Sequence, residues 1–445
     1  MSMEIAQISQ QFTEYYTTRG FQPLPRAPML DPSIPMSFVM SAGLVQIETS
    51  LAQASSRSGN QFVLVQSCFR HFDLESVGRD GTHLSFFEMP GAFKFGPNNK
   101  VETIQRMWFL ATEVLGIERE RIWVTYFKGG NVFNNDLPED KNTQKIWLEL
   151  GVPAERVIGL PGNYWIQGRG IENMSTPRKC GPNTEMFFDL GADKACGSDC
   201  MPGCYCGRFV EFSNSLFIAY EMEKLSNSLS PIPEPFTETV FGAERVSMIL
   251  QGASSVFDIE SYQSVIGMIR RFIHKVNLPG AITCISERVI ADHIKALYFL
   301  IADGAPPPGK NGRERIIKLL IRRVLAHMYI LGIDSPDFLP CLLDCVAVTS
   351  ISTGDIADAK QRVVQYFGME QPKFAETIER GKYYLNKLVA ENQGGTLSGA
   401  QLAELEKRQG LPQSLIETFL WEKGLPFLEV EYKQAIYLWK QTILN

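Results

Sequence analysis

Histidine is scarce in this chain of 445 residues. His71, His83, His274, His293 and His327 show no paired metal-ligand spacing, which argues against a hydrolytic centre built on imidazoles. Long apolar runs are missing too. Segments such as Ala296–Ala302 fall far short of the roughly 20 residues that span a bilayer. The opening MSMEIAQISQ has neither a basic start nor an apolar core, so we expect a soluble cytoplasmic protein with no membrane partner. There is no basic excess: 43 Lys and Arg against 49 Asp and Glu leave a formal net charge of −6, so any contact with RNA must come from a local basic face. No internal repeat or low-complexity tract stands out. Nor do strands and helices alternate regularly, which disfavours a doubly wound parallel sheet. An α+β fold fits better, an antiparallel sheet flanked by helices and followed by an all-helical domain.

What is present centres on Gln61–Gly96, QFVLVQSCFRHFDLESVGRDGTHLSFFEMPGAFKFG. Phe62–Val65 and Leu84–Phe87 are short apolar runs around a charged, glycine-containing loop, the pattern of a long antiparallel hairpin. Arg70, His71, Asp73, Glu75 and Arg79 crowd that loop, whereas an ordinary turn needs only Gly, Asn, Asp or Pro. An arginine at a strand end, followed by carboxylates and then by Phe86, Phe87 and Glu88, suits a nucleotide: guanidinium on phosphate, acid on metal, ring beside the base. A solvated hairpin tip is the plain alternative.

Periodicity predicts a helix over residues 4–19 and an extended segment punctuated by Pro28, Pro32 and Pro35. It then predicts a strand at Phe38–Met40 ending in Ser41, Ala42 and Gly43, helices at 100–116 and 142–150, and strands at 122–127 and 209–220. Ile166–Lys179 reads as irregular and Ser230–Phe236 as a proline-rich connection. Strand signals then fade, so we place a boundary at 252: a first domain over 1–252 and a helical domain over 253–445.

Cys196, Cys200, Cys204 and Cys206 lie in CGSDCMPGCYC. Four thiolates with glycine and proline between them can wrap one tetrahedral structural Zn²⁺. Cys180 is near enough in sequence to substitute, and a reduced loop or an Fe–S cluster are the alternatives. The segment GRERIIKLLIRR sets Ile316, Ile317, Leu319, Leu320 and Ile321 inside and Arg313, Arg315, Lys318, Arg322 and Arg323 outside. That basic face could meet RNA phosphates, or simply be solvated.

With PMLDPSIPMSFVMSAGLVQ before it and TETVFGAER after it, the hairpin resembles the second of three signature motifs of class II aminoacyl-tRNA synthetases, and within that class the alanyl-tRNA synthetases. The similarity runs in order through DLESVG, FFEMPGAFKFG, CGPNTEMFFD, GRFVEFSN, GAERV, RVIADHIKALYFLIADG and IRR, nearly the whole chain. Members usually continue into an editing domain and a further C-terminal domain, whereas this sequence stops at Asn445 and lacks the HxxxH element of editing, as a truncated paralogue would.

The resemblance implies ATP-dependent formation of an aminoacyl adenylate from a small amino acid, with Mg²⁺ on the phosphates. It implies that Arg70 holds the α-phosphate and substrate carboxylate and that Arg245 packs over adenine. His71, Glu75, Phe86, Glu88 and Met89 fall in the ATP-binding blocks, where Glu75 and Glu88 could reach magnesium or the adenine amine and Glu88 could instead be a structural ion pair. Trp165 after Tyr164, and Asn214, match the amino-acid pocket. Glu238 stands where the family has aspartate for the substrate ammonium, and Val240 where it has glycine. Both add bulk, so the substrate sits differently or is not alanine. Family residues that read an acceptor-stem base pair fall on or beside Lys310 and on Lys407, and lysine offers donors only. The acceptor is therefore either tRNA or, in a paralogue, a carrier protein, peptide or small metabolite. A non-catalytic nucleotide- or RNA-binding regulator is a third reading, disfavoured by the survival of Arg70 and Arg245. Nothing in the sequence fixes the oligomeric state.

Overall fold

The computed structural model describes residues 3–30, 39–40, 43–44, 46–47, 60–168, 177–204, 206–223, 226–275, 277–348 and 356–444. Pro32, Pro35, Phe38, Ser41, Ala42 and the middle of the irregular Ile166–Lys179 stretch lie outside the described residues. Helix α1 (Ile5–Thr17) is closed by a capping box between Glu4 and Gln7 and buries Ile5, Ile8, Phe12, Tyr15 and Tyr16 along one stripe. After β1 (Gln22–Pro23) and β2 (Val39–Met40) come the hairpin strands β3 (Gln61–Arg70) and β4 (Phe86–Phe95), then α2 (Lys100–Phe109). Next are β5 (Ile122–Phe127), a small hairpin of β6 (Gly130–Val132) and β7 (Asn135–Leu137), α3 (Lys141–Glu149), β8 (Val157–Leu160) and β9 (Tyr164–Ile166). Three long strands follow, β10 (Arg178–Asp189), β11 (Phe209–Met222) and β12 (Leu229–Phe241), and lead into α4 (Ala243–Leu250).

Among the described residues, β1-β3-β4-β12-β11-β10-β5-β8 lie side by side in one sheet, with β2 on β3 and β9 on β10. Its centre is antiparallel, and the outer pairs β1–β3 and β5–β8 are parallel, which makes it a mixed sheet. Ser230–Phe236, expected as a connection, is the first half of β12. Its prolines are tolerated because only Pro231 has a partner on β11, residues 232–235 fall at a register irregularity between the pairs at Pro231 and Phe236, and pairing with β4 begins only at Phe236, so the missing N–H groups cost no ladder bond to β4.

Alternation gives the sheet two unlike faces. One is covered by α1 and α2: Ser9 Oγ donates to Glu88 at 3.3 Å, and Thr103 meets Thr237 at 2.8 Å. The other carries an apolar patch of Phe62, Leu64, Phe93, Phe95, Leu216, Ile218 and Phe236, against which Trp165 packs.

The helices that follow are α5 (Glu260–Arg270), α6 (Gly280–Ala302), α7 (Gly312–Leu331), α8 (Phe338–Val348), α9 (Ile356–Glu391), α10 (Gly399–Lys407), α11 (Gln413–Glu422) and α12 (Glu429–Leu444). Helix α6 is buried on every side from Val289 to Ile301, as its near-continuous apolar sequence requires. Two compact units result. The first comprises Met1–Ile34, Val39–Arg70 and Asp80–Glu260; the second takes Ser261–Asn445 and, out of sequence order, His71–Arg79.

Candidate active site

Strand register decides which residues of the hairpin can act together. Cys68 pairs with Phe87 and Ser67 with Glu88, so Arg70 and Phe87 share the face that carries the apolar patch. The Arg70 guanidinium lies 4.9 Å from the centre of the Phe87 ring. Met89 alternates onto the same face, whereas Phe86 and Glu88 turn toward the helices. Phe86 is core there, 1% exposed. The Glu88 backbone N–H donates to both carboxylate oxygens of buried Glu244 at 3.1 Å, so α4 supplies an acceptor where β12 has stopped pairing with β4.

Arg245, in the first turn of α4, donates from Nη1 to the Glu211 carbonyl oxygen at 2.7 Å and lies 3.7 Å from the Glu211 carboxylate. Glu211 reaches the open face through a β-bulge. Met186 pairs with Ser213 but Phe187 pairs with Glu211, which leaves Phe212 as the extra residue. Phe212 drops into the core against Phe241, and Glu211 ends on the same side as Asn214, whose amide nitrogen is 3.5 Å away.

Around Asn214 the polar groups interlock. Its oxygen accepts from Asn183 at 3.1 Å and its nitrogen donates to Glu185 at 3.3 Å. Glu185 also accepts from Thr125 at 2.9 Å and Asn163 at 3.1 Å. Burial and then the Glu211 charge push the Glu185 carboxyl up to about 7, against the pull of these donors. On the adjoining strand Val240 pairs with Asn214 and with Gly91, and Glu238 pairs with Leu216 and Phe93. Glu238 is 1% exposed, a carboxylate one rung from Asn214 on the face where Trp165 packs.

The Sγ atoms of Cys196, Cys200 and Cys204 lie within 4.8 Å of one another, and Cys206 Sγ is 3.5 Å from Cys200. A Zn–S bond of about 2.3 Å in tetrahedral geometry sets sulfurs roughly 3.8 Å apart, so this set fits such an ion. Cys200 and Cys204 pack against Phe187, Phe209 and Trp123. Cys180 sits elsewhere, buried with its sulfur 3.9 Å from the Tyr164 hydroxyl.

In the second unit, α7 spends much of its charge on neighbours. Arg322 Nε donates to Glu370 at 2.5 Å, and Lys318 lies 4.0 Å from the same carboxylate. Arg323 bonds Glu75 at 3.0 Å. Arg315 is exposed and Arg313 half-buried, while His71 is half-buried with its ring 5.8 Å from that of Phe72. Leu319, expected inside, is 41% exposed.

Sequence reasoning did not single out Thr125, Asn163, Asn183, Glu185 or Glu211. Glu185 and Glu211 lie within CGPNTEMFFD and GRFVEFSN, so the signal was an acid inside each block. The bulge at Phe212, which turns Glu211 to the site, leaves no mark in alternation.

A mixed sheet of this order, with an arginine-tipped hairpin and a helical unit after it, is the architecture of class II synthetases. The chain belongs to that family: tRNA synthetases class II (A) match residues 7–442. Its relatives include alanine–tRNA ligases of Alkaliphilus oremlandii (strain OhILAs), 30% identical over 97% of this chain and 48% of that protein, and of Nitrosospira multiformis, 32% identical over 98% and 48%. The chain spans about half the length of the curated relatives it matches. A solved structure of apo histidyl-tRNA synthetase from S. aureus aligns with a TM-score of 0.35 and 13% identity over 57% of this chain and 67% of that one. Among the described residues no helix is long and apolar enough to cross a membrane.

Proposed function

We propose that this chain activates a small amino acid, alanine or a related one, with ATP to form an aminoacyl adenylate, and passes the aminoacyl group to tRNA. The observation that carries this reading is the gathering of Arg70, Asn214 and Glu238 on one sheet face, with Arg245 joined to it through Glu211. In the reaction a substrate carboxylate oxygen bonds to the α-phosphorus as the bond to pyrophosphate breaks. Charge builds on phosphate oxygens, and fixed cations suffice to stabilise it without a protein nucleophile. Arg70 would meet the α-phosphate and substrate carboxylate, Arg245 would cover adenine, and Glu238 would take the α-ammonium with Asn214 and Trp165 beside it. Magnesium on the phosphates would find a half-exposed carboxylate in Glu211. Val240, set between Asn214 and Gly91, narrows the pocket and favours a small substrate.

We assign catalysis to the sheet unit and acceptor binding to the helical one. A second reading, transfer to an acceptor other than tRNA, is favoured by Glu370, which occupies Lys318 and Arg322, and by Lys310 and Lys407. The test is amino-acid-dependent exchange of pyrophosphate into ATP across the small amino acids, then charging of transcripts that differ only at the acceptor-stem pair. Exchange without charging of any transcript would select the second reading, and no exchange with any amino acid would refute activation itself.

We also propose that Cys196, Cys200, Cys204 and Cys206 hold one structural zinc that ties the loop over Phe187 and Phe209. Protein prepared without chelator is expected to contain about one equivalent by elemental analysis, with Cys204→Ser lowering both metal content and melting temperature.

A further inference from the structure

The nine-residue segment that follows Arg70 in the chain packs within the helical unit rather than the sheet unit. Leu74 and Val77 are buried. Gly78, at φ +81°, leaves no room for a side chain, since a Cβ there would lie 3.0 Å from the Ile285 carbonyl oxygen and 3.1 Å from Val289. Arg323 of α7 uses all three guanidinium nitrogens on this arrangement. Nη2 donates to the Leu74 carbonyl oxygen at 2.6 Å, Nη1 to Glu75 at 3.0 Å, and Nε to His293 Nε2 at 2.9 Å. His293 is set to accept: its Nδ1 lies 2.8 Å from Asp292, so Nδ1–H donates to that carboxylate and Nε2 keeps its lone pair. Both residues are fully buried, and desolvation holds the imidazole below its usual pKa and neutral. At the far end Arg79 grips Glu417 through both carboxylate oxygens, at 3.1 and 3.2 Å.

A loop tip of this kind, with Phe72 and Glu75 in solvent, would ordinarily be free to move. Here it is fixed at its middle and its end, one residue beyond the arginine that the functional reading places on phosphate. We infer that Arg323 is a positioning residue for Arg70, acting through residues 71–79, so that the helical unit sets the affinity of the sheet unit for ATP. This deepens the proposed function and rests on its assignment of Arg70. It also removes Arg323 from the RNA-facing set, because its donors are already engaged.

The experiment compares wild type, Arg323→Gln, Arg323→Lys and Glu75→Gln in three measurements: Mg-ATP dissociation constant, KM for ATP against KM for the amino acid in pyrophosphate exchange, and hydrogen exchange of residues 71–79. Arg323→Gln is expected to raise the ATP constants about tenfold, the worth of one charge-assisted hydrogen bond, with KM for the amino acid unchanged and faster exchange confined to 71–79. Arg323→Lys should fall between, because one ammonium cannot reach all three acceptors. Glu75→Gln, which leaves the buried partners intact, should shift the ATP constants about twofold and serves if Arg323→Gln does not fold. A lower melting temperature with unchanged ATP constants would overturn the inference, as would unaltered exchange at 71–79. Should wild type bind Mg-ATP yet activate no amino acid, the functional reading fails while the dissociation constants and hydrogen exchange still decide this one.

Discussion

On the open face of the sheet, Thr125, Asn163, Asn183 and Asn214 surround Glu185 with neutral donors, while Glu211 and Arg245 keep 37% and 27% of their side chains exposed. On α7 two cations share one buried acid, Lys318 and Arg322 converging on Glu370, whose side chain is 2% exposed, whereas Arg245 faces a Glu211 that stays open to solvent. Neutral donors orient a charge and leave it available to a ligand. A buried acid cancels the cations it orients. Two regions that look equally rich in charge in the sequence thus differ in what they can offer a phosphate.

The largest effect should come from the first region. Arg70→Ala and Arg245→Ala are each expected to lower pyrophosphate exchange about a hundredfold or more, since one fixed cation on developing phosphate charge is worth on the order of 3 kcal/mol. Near-normal exchange in either variant would break the comparison by showing that the half-buried cations of the sheet do nothing. A smaller effect should follow from releasing the cations of the second region. Glu370→Gln frees Lys318 and Arg322, so RNA binding should strengthen and the log–log salt slope steepen by up to about 2, at some loss of melting temperature. An unchanged slope in folded protein would mean that α7 faces no phosphate even when its charge is freed.

The smallest effect sharpens the account of Glu185. Its folded carboxyl titrates near 7 against an ordinary 4.5, so the folded state holds the proton over that interval and the unfolded chain does not. The contribution to stability is present below 4.5 and lost as pH rises through about 7. Melting temperature should therefore fall across this window. In Glu185→Gln that slope should flatten, and equal slopes would show that Glu185 is ionised throughout.

How much of this was legible depended on distance along the chain. The helical stripe Ile5, Ile8, Phe12, the hairpin around Arg70 and the cysteine quartet are local patterns, and periodicity or spacing exposes them. Strand parity could have separated Phe87 from Phe86 and Glu88, had the register been known, but register is set by partners elsewhere in the sheet. The prolines of β12 looked like a linker because only the sheet shows the irregular register and late β4 pairing that admit them. The ionic partners on α7 were out of reach, for Glu370 is 48 residues from Arg322 and Glu75 is 248 from Arg323.

Residues 71–79 carry one more consequence, for the order of events at the ribosome. Their anchors are made late: Arg323 follows Glu75 by 248 residues and Glu417 follows Arg79 by 338. A nascent chain can therefore complete its sheet strands while the stretch next to Arg70 still awaits its holders, and closing such remote contacts is slow. Competence to grip a nucleotide would then wait until Arg323 and Glu417 have been made, so a chain interrupted before them carries the signature hairpin without the means to hold it in place.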